Sequence, residues 1–251
     1  MSVWHATEQV AHGDTEVIVR SSSGDIDIPV IMLGSNLEGN IVIDSGRSNH
    51  RKFLNLNQST MTDQQKKALV GVHAFTGCDQ NSSFFRKGKK VCWKVAQNHL
   101  SAFCKLGESY EIDEELCNQL EVFVCRLYSG KCDDVNKLRT EMFWKTLKKK
   151  GQIIDLSLLP PCRMSLKLHI KRSNYVARIW RQASLEMMEI EPPQNHGWNE
   201  DFSLEWPEMI IPDDVIRAIE VDSQQTEESD YDTDPEDDVE DENDEENAQE
   251  D

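Results

Sequence analysis

From Glu220 to Asp251 the chain carries 18 Asp or Glu residues and not one Lys or Arg. Such a stretch holds almost no apolar surface to offset the entropy of ordering a backbone, so residues 220–251 are expected to form a disordered acidic tail. This segment also decides how the net charge of −19 is read. Of the 46 acidic residues, 28 remain in residues 1–219 against 27 Lys and Arg. The body is therefore close to neutral, and the acidity gives no ground for excluding nucleic acid as a partner.

The seven cysteines, Cys78, Cys92, Cys104, Cys117, Cys125, Cys132 and Cys162, are odd in number and contain no C-x-x-C pair. That pattern argues against zinc and against a disulfide framework. Several fall on apolar faces of expected helices, where a reduced thiol behaves as a small hydrophobe, so an intracellular, reducing compartment follows. Nowhere are there ~18 consecutive apolar residues, and the first residues lack a basic region followed by an apolar run. Neither membrane insertion nor secretion is expected.

Alternation over Thr15–Arg20 predicts a strand, followed by a Ser-rich loop that leads to Asp25 and Asp27. The apolar run Ile28–Leu33 suits either a helix or a buried strand, and Pro29 fits a first helical turn better than a central strand. Ile41–Asp44 and His50–Leu56 flank Ser45–Asn49, a hairpin pattern with Gly46 available for a positive φ. Thr62 caps an expected helix ending near Gly77, and Asp113 caps a second with Leu116, Leu120, Phe123, Val124, Leu127 and Tyr128 inside and Gly130 as its stop. A third helix is expected from Asp134 to Lys150. A fourth, from Met164 to Leu185, has one broad apolar arc and a stripe of Lys167, Lys171, Arg178 and Arg181. Trp93 and Trp180 read as core residues. The segment from Pro192 to Ile219, with Trp198 and Trp206, is expected to be an extended arm packing its aromatics onto the body.

The chemistry-bearing residues are few. Asp25 and Asp27 after a strand, with Asp79 after a helix, are expected to converge at one end of a sheet, where ligand sites of α/β folds lie. Carboxylates so gathered bind hard divalent ions such as Mg or Mn. The same D-x-D pattern is also ordinary turn and cap chemistry.

The stretch Leu69-Val-Gly-Val-His-Ala-Phe-Thr-Gly-Cys-Asp79, continued by Ser82-Ser83-Phe84-Phe85-Arg86-Lys87-Gly88-Lys89-Lys90, resembles a group of invertebrate, mobile-element-associated proteins. Further matching motifs are Ser23-Gly24-Asp25-Ile26-Asp27, Glu121–Tyr128, Pro160-Pro161-Cys162, His169 with Asn174–Ala177, and His196-Gly197-Trp198. That group in turn is distantly similar to flap-endonuclease-like (PIN-like) nucleases. The resemblance implies that Asp25, Asp27 and Asp79 are metal-binding, and that Arg86, Lys87, Lys89, Lys90 and Lys94 occupy the place of a DNA-binding hairpin. It also implies a Glu-Ala-Asp-Thr-type motif ahead of the first strand. The chain lacks it, so an N-terminal part is expected to be missing, and two-metal catalysis by this chain alone is not expected.

Taken together, the expected fold is α/β. Residues 1–105 form a truncated PIN-like sheet with helices, 106–219 a mainly helical region with an aromatic arm, and 220–251 the tail. The expected function is a degenerate nuclease-like fragment that binds nucleic acid through the two basic groups. The alternative is a non-catalytic nuclear interaction protein whose tail recruits basic proteins such as histones. The basic groups read equally as solvated faces. A nuclear location is implied by the resemblance and the tail.

Overall fold

The computed structural model describes residues 3–12, 16–21, 25–35, 37, 39–47, 50–147 and 155–207. The chain divides into Met1–Pro207 and Glu208–Asp251, and all described residues belong to the first unit. The expected tail, Lys148–Lys150 and the end of the aromatic arm lie outside the described residues.

The protein is a mixed α/β chain with eight α-helices and a three-stranded sheet among its described residues. Strand β1 (Glu16–Ser21) alternates strictly, with Val17, Val19 and Ser21 buried and Ile18 outward. Strand β2 (Asn40–Ser45) runs parallel to it, pairing Val17 with Ile41 and Val19 with Ile43. A parallel pair needs a crossover, and helix α2 (Asp27–Gly34) supplies it, so the ambiguous run Ile28–Leu33 is helical with Pro29 in its first turn. Strand β3 (Lys52–Asn55) returns antiparallel to β2. Gly46 takes φ +97° there, and a Cβ on it would stand 2.5 Å from the His50 carbonyl oxygen. Helix α1 (Val3–Ala11) turns Val3 and Ala6 into a small core with Val17, Val19, Met32, Ile41, Ile43 and Leu56.

The larger core is helical. Helix α3 (Asp63–Phe75) opens on a full capping box between Thr62 and Gln65. Helices α4 (Lys89–Ala96), α5 (Leu100–Lys105) and α6 (Glu114–Leu127) follow. Asp113 caps α6 through a 2.6 Å bond from the Leu116 amide, and its six expected inward residues are all buried. Helix α7 (Val135–Leu147) precedes α8 (Arg163–Arg181), whose Leu166, Ile170, Val176, Ala177 and Trp180 enter the core. Residues on both sides of position 105 share this one core, which joins α3 and α5 to α6 and α8. Ile31 of α2 packs against both cores.

Helix α8 stops short of the expected Leu185. The Gln182 side chain bonds the backbone of Glu189 in both directions, at 2.8 and 3.1 Å, and so turns the chain back. The returning segment packs Trp198 on the core but leaves Trp206 78 % exposed, which corrects the expectation that both tryptophans pack. Among the described residues all seven cysteines are free, with Cys92 and Cys125 buried and the others half-buried. No described helix is long and apolar enough to cross a membrane.

Candidate functional site

The carboxyl end of β1 delivers Asp25 and Asp27 to the start of α2. The Asp25 Oδ1 accepts the Asp27 amide at 3.0 Å, a local turn that starts the helix, and Asp27 in the first turn also suits the helix dipole. The Asp27 carboxylate is in turn held across the fold. His73, buried in α3 and stacked on Trp180 with ring centroids 5.6 Å apart, places Nε2 2.6 Å from Asp27 Oδ1. Burial pushes the His73 pKa below its ordinary value. The Asp27 hydrogen bond opposes that, the Lys89 charge adds to it, and the charges of Asp27 and Asp25 oppose it more weakly. His73 is therefore neutral near pH 7 and donates its Nε2–H to Asp27.

Asp79 follows the end of α3. It is exposed at the tip of a two-residue turn closed by backbone bonds between Cys78 and Asn81 at 3.0 and 3.2 Å. Among the described residues no three His, Cys, Asp or Glu side chains are gathered as metal ligands. The structure brings Asp25 and Asp27 together with His73. A further carboxylate, Asp44 near the carboxyl end of β2, is buried between two arginines. Arg20 reaches it at 2.8 Å and Arg51 at 2.9 and 2.5 Å, and the Arg51 hydrogen bond, helped by Arg20 and opposed by burial, holds its pKa below the usual range.

The stretch His73–Asp79 serves a structural purpose, since it ends α3. The last carbonyls of a helix lack intrahelical donors and need other partners when buried. The His73 carbonyl accepts Lys89 Nζ at 2.8 Å, and the Gly77 carbonyl accepts the same ammonium. The Ala74 carbonyl accepts Asn81 Nδ2 at 3.1 Å, and the Phe75 carbonyl accepts His169 Nε2 at 2.7 Å. Gly77 follows at φ +109°, where a Cβ would stand 2.6 Å from that of Ser83. Asn81 and His169, which carry much of this network, have no role that the sequence alone reveals, and nor does Asn174. Asn174 ties α8 to the α5–α6 connection by accepting the Gly107 amide at 2.7 Å and donating to the Ser109 carbonyl at 2.7 Å.

The nine basic residues expected to meet phosphate divide accordingly. Lys89 keeps much of its surface in water, yet its ammonium is committed to the α3 terminus, and desolvation lowers its pKa. Arg181 donates to the carbonyls of Leu106, Lys67, Phe103 and Cys104, and Arg178 to that of Glu108. The expected stripe of Lys167, Lys171, Arg178 and Arg181 is thus divided: its two arginines donate to backbone carbonyls at and just after the end of α5 and, for Arg181, also to that of Lys67 in α3. Lys167 lies 3.5 Å from Glu114, and Lys171 is exposed. Around the start of α4, Lys90 and Lys94 are exposed one turn apart and have no ion pair among the described residues. Lys87 lies 4.5 Å over the Tyr128 ring, and Arg86 lies 5.2 Å over Phe85, itself 45 % exposed.

The class this geometry defines is a mixed α/β protein with a parallel β-α-β unit whose acidic residues lie at the carboxyl end of its strands. Comparison with protein-family models, curated proteins and solved structures returned no match.

Proposed function

We propose that the chain is a degenerate PIN-like nuclease module that binds nucleic acid through its backbone phosphates and does not cleave it unaided. The observation that carries this reading is the basic edge before and within α4. Arg86 lies over a half-exposed Phe85, and Lys87, Lys90 and Lys94 follow along the same loop and α4, a combination of cations with a stacking face that suits a flexible strand. The parallel β1–β2 pair, with Asp25 and Asp27 beyond it, supports the PIN-like part.

Two adjacent carboxylates suit one hard cation, Mg or Mn, better than a two-ion centre. Asp25 and Asp27 are the residues that would hold it, and the ion would supply Lewis-acid chemistry at a phosphate oxygen. Asp27 is meanwhile oriented by neutral His73, and Asp44 is neutralised by Arg20 and Arg51, so among the described residues these two carboxylates are already engaged. A nuclear location forms part of the same proposal.

Fluorescence anisotropy with labelled single-stranded DNA and RNA tests the binding face. The expected result is affinity that falls steeply with salt, at about 0.7 log units per neutralised phosphate for each log unit of salt. The Lys90→Glu/Lys94→Glu double variant should bind roughly tenfold more weakly at low salt, with a salt slope shallower by about 1.4. An unchanged affinity in the double variant would remove the α4 edge from the binding surface.

A further inference from the structure

We propose that the cleft between the Ser82–Phe85 loop, α8 and the Leu204–Trp206 segment binds a small amphiphilic carboxylate: an apolar body of about aromatic size with one carboxylate head. The cleft holds about 330 Å³, within the range of ~300–1,000 Å³ typical of small-molecule sites. Phe84, Phe85, Leu159 and Leu204 give it apolar walls, and Phe85 and Leu204 stand half-exposed at the mouth, at 45 % and 42 %. A ligand body seated there would cover both.

The polar end is set by α8. His169 and Arg172, three residues apart on one helix face, both line the cleft and are only 6 % and 8 % exposed. Arg172 donates Nη1 to the Gly197 carbonyl at 3.1 Å and has no carboxylate within ion-pair distance among the described residues. Glu205 lines the adjoining smaller cavity with Arg172 and is the acid that most influences it. A guanidinium held in a largely dry place without an ion-pair partner is costly, and its planar fork is shaped to take a carboxylate.

His169 contributes no second positive charge. Its Nε2–H is committed to the Phe75 carbonyl, which leaves Nδ1 as an acceptor 3.4 Å from the Ser82 hydroxyl. One cation beside a neutral imidazole matches a monoanion rather than a phosphate ester. None of the bases from Arg86 to Lys94 lines the cleft, and Phe85 is the residue that the cleft shares with the proposed nucleic-acid surface.

The test is ligand-observed saturation-transfer NMR on the full chain with 4-phenylbutyrate, its amide and phenyl phosphate. The carboxylate should bind with a Kd on the order of 10⁻⁴ M, and the amide at least ~tenfold more weakly. Arg172→Gln, which keeps a donor for Gly197, should bring acid and amide to equal affinity. Phe85→Ser, altered only at the mouth, should weaken both severalfold and preserve their ratio, so the proposal remains testable if the Arg172 variant does not fold. Equal binding of acid and amide by the native chain, no binding of either, or tighter binding of phenyl phosphate would each overturn the assignment.

Discussion

Replacing Phe75 with alanine should lower the unfolding free energy by about 3–5 kcal/mol, the largest effect expected of any single truncation in this body. Phe75 is the last residue of α3 and is fully buried. Its ring meets those of Phe84, Phe103 and Phe123 at centroid distances of 5.4, 5.8 and 5.8 Å, and that of His169 at 5.0 Å. These neighbours come from four separate parts of the chain, so they cannot all close in on the space left behind. The cost is then lost transfer energy plus a cavity. Phe53→Ala on the exposed edge strand, where the ring is 63 % exposed, is the matched control and should change stability by no more than about 0.5 kcal/mol. Urea denaturation of both variants checks the pair, and similar losses would show that the aromatic cluster is not the centre of the core.

The second large effect is a dependence of stability on pH that originates in the same cluster. Burial pushes the His169 pKa down to about 4, with the nearby Arg172 charge acting the same way and the Phe75 carbonyl opposing. An unfolded histidine titrates near 6.5. Between those values the unfolded chain binds a proton that the folded chain does not, so stability is full above about pH 6.5 and falls as the pH drops toward 4. The gap corresponds to about 3 kcal/mol. His73, also lowered mainly by burial, acts in the same direction. His169→Gln retains a donor for the Phe75 carbonyl but does not titrate. Its unfolding free energy should be lower at pH 7 and vary much less between pH 7 and 4.5. Parallel pH profiles for the native and variant chains would remove His169 from this role.

What can be read from the sequence follows the range of the forces involved. The starts of α3 and α6 are legible because Thr62 and Asp113 act on amides three residues away, and the sheet because alternation and Gly46 are local signals. The destinations of long cationic side chains are not. Arg178 and Arg181 form a basic stripe on a helical wheel, yet the carbonyls that claim them lie 70 to 114 residues away in sequence. Charge groups Lys89 with its neighbours, although it alone of them ends α3. Asp44 gives no signal, since its arginine partners are identified only by strand pairing and the return of the hairpin. Asp25 and Asp27 are recognisable as a pair, but the residue that fixes Asp27 is His73, 46 positions later, inside a stretch where the motif draws attention to Asp79 instead.

The proposal that the module binds nucleic acid without cutting it rests most directly on one measurement. The full chain is incubated with a 5′-labelled single strand in Mg²⁺ or Mn²⁺, and the product is divided between a native and a denaturing gel. The native gel should show retardation that disappears at high salt, and the denaturing gel an uncut strand. Divalent-dependent cleavage by the native chain that is abolished in Asp27→Asn would contradict the proposal and make the Asp25–Asp27 pair a working catalytic centre.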